Sequence, residues 1–239
     1  MPTISWLSLA WCALPIVIVT VIYVAWQGQA KEILSAALRM VIQLIGVGYV
    51  LIALFGNPSP WITLAVLLLM VVVAAWISIR PIREIPGFLF PAIVALGVSV
   101  VFHLILSLQL VMSVDTWYEP SIMIPLAGMY FSNSMNAISL AAERFVAELK
   151  RGSDIIAARI AAFHTAMIPQ INGLLAVGLV SLPGMMTGQI LSGVSPLVAV
   201  RYQIMIMAMI LGVSGMGAAI MLWLLSRKQG LTIDVVREN

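Results

Sequence analysis

The chain has 239 residues, of which 62% are hydrophobic and 9% are charged, and its formal net charge is +3. Soluble proteins contain about 25% charged residues, so this composition and a mean hydropathy of +1.12 exclude an ordinary soluble enzyme or binding domain. The single cysteine, Cys12, excludes a disulfide framework and a cysteine metal cluster.

Seven apolar runs follow in chain order, and each has roughly the 20 residues that a membrane-spanning helix needs. The runs cover residues 6–26, 34–55, 60–79, 87–112, 122–142, 163–182 and 202–225. Tryptophans lie near several run ends, which is the depth that indole rings prefer in a bilayer. We therefore predict an all-α, polytopic membrane helix bundle in which residues 1–239 form a single transmembrane domain of about seven helices.

The lysines and arginines lie in alternate gaps between these runs. The first, third and fifth gaps and the tail, residues 226–239, contain Lys31, Arg80, Arg83, Arg144, Lys150, Arg151, Arg159, Arg227, Lys228 and Arg237. The opposite gaps contain no Lys or Arg before Arg201. Because cytoplasmic loops are enriched in these residues, the pattern predicts an N-terminus outside and a C-terminus in the cytoplasm. The positive charge is then a topology signal and does not indicate nucleic acid as a partner.

Residues 143–160, between the fifth and sixth runs, form a charged amphipathic segment. Its charged side chains are Glu143, Arg144, Glu148, Lys150, Arg151, Asp154 and Arg159. Phe145, Val146 and Leu149 form an apolar strip beside them, while Gly152 would end one helix and Asp154 would cap the next. The segment is either a solvated loop that continues the fifth span or a docking helix for a cytoplasmic partner.

Residues 183–200 carry no charged side chain before the external Arg201, but they contain glycines and the candidate ligands Met185, Met186 and Gln189. The segment is either an external glycine-rich turn or a segment that re-enters the membrane. Irregular backbone at membrane depth must be buried by protein or meet a water-filled cavity. Re-entry would therefore place these residues on a substrate path.

Polar side chains inside apolar runs are candidate functional residues, because burying them in hydrocarbon costs free energy. Arg39 either snorkels to the cytoplasmic interface or pairs with Gln43 in a cavity. Arg201 either pairs with Asp115 or Glu119 or binds an anion.

Three further polar residues and one stripe of small residues also have two interpretations. His103 is a satisfied core histidine or a metal ligand, and Asn133 and Asn136 form hydrogen bonds between helices or contact a ligand. The last run contains a stripe of Gly212, Gly215 and Ala219, which predicts close helix packing within one chain or between two chains.

Motifs for nucleotide binding and hydrolysis are missing from the sequence. It contains no GxxxxGK[ST] phosphate loop, no HExxH and no GxSxG. We therefore predict that the chain is not an enzyme and that any ATP hydrolysis takes place on another chain.

A long sequence match lies in residues 181–204. It reads Ser181-Leu-Pro-Gly-Met-Met-Thr-Gly-Gln-Ile-Leu-Ser-Gly193, then Ser195-Pro196 and Ala199-Val-Arg-Tyr-Gln-Ile204. This pattern resembles the signature of the FetB-type ABC permeases, which include bacterial iron-export permeases and plant permeases linked to aluminium tolerance. Further matches are Asn133, Met135-Asn136-Ala137, Ser139-Leu140, residues 144–148, Ile168-Pro169 and Ile171-Asn172.

The resemblance implies a multi-pass permease subunit of the inner membrane that works by alternating access with a separate cytoplasmic ATPase, two copies of each forming the transporter. ATP would bind the partner, this chain would hold no cofactor, and residues 143–160 would be the ATPase coupling element. The chain departs from the family pattern at Ser132, where the family has glycine, and in a shorter stretch, 157–167, before the Ile-Pro pair. A shortened coupling element is therefore an alternative.

The resemblance leaves the cargo open. Iron or a related metal would favour His103, Asp115 and Glu119 as ligands, whereas a phosphate-bearing cargo such as a nucleotide sugar would favour Arg201 and Arg39. The candidate substrate path is formed by Arg39, Gln43, Asn133, Asn136, Met185, Met186, Gln189, Arg201 and Gln203. An ATP-independent channel or a structural membrane subunit is the alternative function.

Overall fold

The computed structural model describes residues 5–56 and 58–227, and these form nine α-helices with one isolated β-bridge between Val177 and Ser181. The helices are α1 (Trp6–Ala10), α2 (Ala13–Ala25), α3 (Ala30–Gly56), α4 (Pro60–Ser78), α5 (Leu89–Ile105), α6 (Pro120–Lys150), α7 (Ile155–Ala176), α8 (Gly184–Leu191) and α9 (Pro196–Arg227). Contacts divide the chain into two units, of which the first contains α1–α3 and the second contains α4–α9.

Five helical segments of the described chain are long and apolar enough to cross a membrane. They are Leu7–Ala25, Ala30–Gly56, Pro60–Ser78, Leu89–Val111 and Pro196–Arg227. The predicted fifth and sixth spans fall on α6 and α7, which have 31 and 22 residues but contain more polar side chains. The all-α membrane bundle is therefore confirmed, while seven spans and the orientation of the termini stay predictions.

In the first unit, α2 and α3 form a helical hairpin. Gln27 adopts a positive φ of 67° in the turn, and the ring of Tyr23 fills the space where a Cβ on Gly28 would lie. The Tyr23 hydroxyl donates a hydrogen bond to Glu32 Oε2 at 3.1 Å. These contacts hold the beginning of α3 against the end of α2.

In the second unit, α6 is the central helix and packs against α4, α5, α7 and α9. Small side chains allow these close approaches. On α7, Ala158, Ala162 and Ala166 recur every four residues, and all three are fully buried. A four-residue repeat places side chains on one helix face, so the backbone of α7 approaches its neighbours without bulky side chains between them.

The turn between α6 and α7 has the predicted end signals. Gly152 adopts a φ of +86°, which residues other than glycine rarely adopt. Asp154 Oδ1 accepts hydrogen bonds from the backbone N–H groups of Ile156 at 2.8 Å and Ala157 at 3.0 Å. The predicted helix break and the predicted cap are both confirmed, and they join α6 and α7 through a turn of four residues, 151–154.

The five long helices of the second unit, α4, α5, α6, α7 and α9, alternate in direction, and the short helix α8 comes between α7 and α9 in the chain. Thr63, near the start of α4, donates to the carbonyl of Tyr118, just before α6. The 3₁₀ turn Arg80–Ile82, between α4 and α5, packs against α6. This alternation places the second unit's described lysines and arginines at one end of the bundle, except Arg201, which lies at the opposite end. We call the end that contains Arg80, Arg83, Arg144, Lys150, Arg151, Arg159 and Arg227 the basic end.

The sixth predicted span and the loop that follows it differ from the prediction. The helix α7 ends at Ala176, six residues before the predicted boundary, where Gly178 adopts a φ of +86° and donates to the carbonyl of Ser181. The predicted uncharged loop, residues 183–200, contains α8 and the start of α9. The helix α8 packs against α9.

Candidate functional site

A stripe of polar side chains crosses the apolar interior of the second unit on α5 and its continuation. Ser99, His103 and Ser107 lie four residues apart and are all buried. Ser99 donates to the carbonyl of Ala95 and Ser107 to the carbonyl of His103, both at 2.7 Å. His103 Nδ1 lies 2.7 Å from the Ser99 carbonyl, which can only accept, so Nδ1 carries the proton.

Two members of this stripe reach α6, and α6 in turn reaches α9. The hydroxyls of Ser107 and Tyr130 are 2.6 Å apart, and those of Ser99 and Ser134 are 3.5 Å apart. Ser134 also donates to the carbonyl of Val213 in α9 at 3.2 Å. Ser107 belongs to a π-helical segment, Leu106–Val111, a type of helix irregularity that is frequent at functional sites.

Glycines on α9 provide room for these polar side chains. A Cβ on Gly212 would collide with His103 Nε2, and a Cβ on Gly217 would collide with Ser134 Oγ. Gly215 faces α7 instead, where a Cβ would lie 3.6 Å from Met167. The predicted stripe of small residues therefore serves packing between helices of one chain at Gly212 and Gly215.

A cluster of charged side chains lies at the basic end, where α6 turns into α7. Glu148 Oε1 is 2.7 Å from Arg144 Nη2 and 3.3 Å from Arg151 Nη1. Ser153 donates to Glu148 Oε2 at 2.8 Å. The hydrogen bond from Ser153 and the nearby guanidinium groups of Arg144 and Arg151 lower the pKa of the Glu148 carboxyl. The cluster is therefore ionised at neutral pH and ties the last turn of α6 to the interhelical turn.

Of the predicted coupling residues, the structure brings Arg144, Glu148 and Arg151 into this cluster, while Asp154 caps α7 and Arg159 faces a cleft between α7 and α9. Glu143 and Lys150 are exposed. The predicted apolar docking strip requires a correction. Phe145, Val146 and Leu149 are buried in the core of the second unit, because α6 continues without a break to Lys150. The exposed side chains that remain for a partner in residues 143–160 are mostly polar, together with the exposed Ile156 and Ile160 of α7.

The three predicted metal ligands do not meet. His103 lies inside the bundle on α5, Asp115 is exposed in the loop after the π-helical segment, and Glu119 precedes α6 and accepts from Ser121 at 3.0 Å. In residues 5–56 and 58–227, no three His, Cys, Asp or Glu side chains are close enough to hold one metal ion. The alternative interpretation of His103, a satisfied core histidine, agrees with its buried hydrogen bond.

The two unusual arginines are both exposed. In the described part of the chain, Arg201 forms no ion pair with Asp115 or Glu119, although all three lie at the same end of the second unit. Arg39 and Gln43 lie one turn apart on α3 and form no hydrogen bond with each other. The predicted pairings of both arginines are therefore absent, and their guanidinium groups remain open to other partners.

The other substrate-path candidates lie on α6, α8 and α9. Asn133 donates to the carbonyl of Met129 on its own helix at 2.8 Å, and Asn136 is exposed. Gln189 on α8 and Gln203 on α9 each have a buried Oε1 atom without a hydrogen-bond partner. Met185 is exposed and Met186 is half-buried on α8. Of the helices that carry these residues, α8 and α9 pack against each other, and their role in a substrate path stays a prediction.

Sequence reasoning missed most of the polar stripe. It singled out His103 but not Ser99, Ser107, Tyr130 or Ser134. The four-residue spacing of the two serines around His103 was the available signal, since it places all three on one helix face. The partners on α6 and α9 are distant in sequence, and only the folded chain brings them together.

A family model described as an uncharacterised protein family, UPF0014, matches residues 6–229. The chain belongs to the UPF0014 family. A UPF0014 chain, the membrane protein slr1647 of Synechocystis, is 35% identical over 226 residues, which cover 87% of each chain.

Two further UPF0014 relatives carry more specific names. The probable iron export permease protein FetB of Escherichia coli is 32% identical over 215 residues, which cover 83% of this chain and 81% of that protein. The UPF0014 membrane protein STAR2 of rice is 31% identical over 205 residues, 78% of this chain and 70% of that protein. No solved structure matches. The predicted resemblance to the FetB-type permeases is confirmed, and this UPF0014 chain is a multi-pass membrane protein.

Proposed function

We propose that this chain is the permease subunit of an ATP-driven ABC transporter of the inner membrane that exports iron or a related metal ion. The observation that carries the proposal is the 32% identity to the E. coli protein named as an iron export permease, over 83% of this chain. ATP would bind and be hydrolysed on a separate cytoplasmic ATPase, because the sequence contains no phosphate loop. Two permease and two ATPase subunits would form the transporter.

The turn between α6 and α7 is the best candidate for the contact with the ATPase. It lies at the basic end, which the distribution of lysine and arginine assigns to the cytoplasm. Lys150 and Arg151 are exposed there, and the Glu148 cluster and the Asp154 cap hold the turn rigidly. A rigid turn transmits force to both of its helices, so closure of the ATPase would move α6 and α7 together.

Movement of α6 would reach the centre of the bundle through the polar stripe. Tyr130 and Ser134 connect α6 to α5 and α9 by hydrogen bonds, and these bonds can exchange partners when the helices shift. Alternating access requires such a coupled rearrangement of helices. The stripe therefore connects the proposed ATPase contact to the interior of the bundle, and of the three metal candidates it contains only His103.

The experiment is copurification with a candidate ATPase, followed by ATPase assays with iron and related divalent metals. Replacing both Lys150 and Arg151 with Glu should abolish copurification, because it reverses the charge of the exposed turn. Arg83→Glu is the matched control at the basic end outside this turn, and it should leave copurification intact. Failure of the wild-type chain to copurify with an ATPase would favour the ATP-independent channel or the structural subunit.

The metal assay separates the cargo alternatives. Loss of metal-stimulated ATPase activity in Glu119→Gln would support metal as the cargo, with Ser121→Ala as the control that keeps the carboxylate. A phosphate-bearing cargo such as a nucleotide sugar is the second candidate. The exposed guanidinium of Arg201, which forms no ion pair with any residue that the structure describes, favours it. Stimulation by a nucleotide sugar, lost in Arg201→Gln, would replace metal export with this function.

A further inference from the structure

A cleft between α7 and α9 at the basic end has no role in the function proposed above. Its cavity of about 370 Å³ is within the size range of small-molecule sites. Phe163 and Leu222 contribute apolar walls, and Arg159 and His164 contribute nitrogen donors. His164 and Trp223 are exposed, so the cleft opens to the surface of the second unit.

Among the residues that the structure describes, the cleft is lined by the guanidinium group of Arg159 and by no carboxylate. Neither α7 nor α9 contains an Asp or Glu, and Arg159 forms no ion pair in the described ranges 5–56 and 58–227. A second guanidinium, that of Arg227, lies 3.9 Å above the ring of Trp223, which is itself part of the cleft wall. An arginine that lines an apolar cleft, with a second arginine stacked on the tryptophan of its wall, is complementary to a ligand with an anionic head and an apolar body.

The depth of the cleft points to a lipid as the source of that ligand. Trp223 and Arg227 are at the end of α9, and a second pair at the basic end has the same geometry, with Arg83 4.2 Å above the ring of Trp76. Tryptophans and arginines with this arrangement lie at the headgroup level of a bilayer. A free phosphate ion would bind the arginines but would leave the apolar walls of the cleft unused.

We propose that the cleft between α7 and α9 binds an anionic phospholipid. The phosphate binds the guanidinium group of Arg159, which lines the cleft, and an acyl chain packs against Phe163 and Leu222. The site is independent of the proposed transport function, since it requires only that α7 and α9 lie in a bilayer. The site would hold a lipid at the N-terminal end of α7, the helix that follows the proposed ATPase contact.

The test is lipid retention by the full-length protein, measured by native mass spectrometry after purification in detergent and addition of phosphatidylglycerol or phosphatidylcholine with the same acyl chains. We expect the wild-type protein to retain phosphatidylglycerol selectively. Arg159→Gln should weaken this retention about fivefold, since one basic residue near a membrane surface contributes on that order. Arg83→Gln is the matched control, because it removes an arginine that is also stacked on a tryptophan but does not line this cleft, and it should change nothing.

A second variant tests the apolar part of the site. Ala219 is exposed in the cleft wall, so Ala219→Phe fills the cavity and keeps both arginines. It should reduce phosphatidylglycerol retention while the melting temperature stays near the wild-type value, which distinguishes blocked binding from misfolding. Equal retention of phosphatidylcholine, displacement of the lipid by inorganic phosphate, or unchanged retention in both Arg159→Gln and Ala219→Phe would overturn the proposal.

Discussion

The ring of His103 lies with its Nε2 atom directly against Gly212, so a side chain of α5 occupies the space that the missing Cβ leaves on α9. Ser134 of α6 has the same relationship to Gly217, five residues further along α9. Two glycines therefore allow two different helices to place buried polar groups against one helix backbone. In a bilayer, such close packing with interhelical hydrogen bonds is a main source of helix association.

Alanine at either glycine should destabilise the protein. The new Cβ in Gly217→Ala would collide with Ser134 Oγ and lie 3.3 Å from Ser99 Oγ, so the hydrogen bond from Ser134 to the Val213 carbonyl would be displaced. Overpacking of this kind costs about 1–3 kcal/mol. Gly212→Ala should have a similar cost, because the His103 ring would have to move. Thermal unfolding in detergent would measure both effects.

Gly215→Ala is the matched control for these substitutions. Its Cβ would lie 3.6 Å from the flexible side chain of Met167, which is an ordinary contact distance. Alanine is also the better helix former by about 1 kcal/mol. We therefore expect Gly215→Ala to leave the melting temperature unchanged or to raise it. A loss of stability equal to that of Gly217→Ala would show that any change on α9 is harmful and that the two close contacts have no special role.

Removing Ser107 should cost more than removing the Tyr130 hydroxyl. The Ser107 hydrogen points to the His103 carbonyl, so the hydroxyl of Tyr130 must donate to Ser107. Ser107→Ala leaves this donor buried without a partner, which costs about 1–3 kcal/mol, whereas Tyr130→Phe leaves Ser107 with its other bond. Unfolding of the two single variants and the double variant tests the order. A larger cost for Tyr130→Phe would contradict the assigned donor direction.

Acidification should remove a stabilising contribution that depends on Glu148. Its pKa is lower in the folded protein than the ordinary value of 4.5, through the Ser153 hydrogen bond and the two arginines. The ionised carboxylate therefore stabilises the fold above the unfolded pKa, and this contribution is lost as the pH falls through the lower folded pKa.

The measurement is the melting temperature between pH 7 and pH 3 for the wild type and for Glu148→Gln. The wild type should be more stable at pH 7, and the difference should shrink at low pH. Glu143→Gln is the control, because Glu143 is exposed on the same helix. A constant difference between the wild type and Glu148→Gln across this pH range would exclude an electrostatic role for the cluster.

Cysteine labelling should show the two ends of the second unit on opposite sides of the membrane. In a Cys12→Ser background, Lys150→Cys should react only with reagents that reach the cytoplasm, and Ser195→Cys should react with an impermeant reagent added outside. Both residues are exposed and lie at opposite ends of the alternating helices. Labelling of Lys150→Cys from outside would reverse the predicted orientation, and the proposed ATPase contact would then be wrong.

The α6–α7 region shows which structural features could be predicted locally. Gly152 and Asp154 act through their own backbone conformation and neighbouring N–H groups, so their roles as helix break and cap follow from residues within a few positions. Glu143 and Lys150 are exposed, as both interpretations of residues 143–160 expect. The docking interpretation leaves the apolar strip for a partner, whereas its true neighbours lie in other helices of the second unit and are far away in sequence.

The three candidate metal ligands show a feature that could not be predicted locally. His103, Asp115 and Glu119 are the right residue types for iron, but a metal site also requires their side chains to converge on one point. Their separation follows from the continuation of α5 through the π-helical segment to Val111, which puts helix between the histidine and the loop that contains Asp115. Residue types alone carry no information about such distances.

The amino-acid sequence by itself determined that this protein is an apolar helix bundle and that it belongs to the UPF0014 family. Hydropathy and charge act on each segment through its own contact with lipid or water, so their effect can be predicted from that segment alone. The tertiary structure alone decided that Ser107 meets Tyr130, that His103 fills the space at Gly212, and that Arg159 borders a cleft. These contacts join residues that are distant in the chain, and they form only when the helices pack.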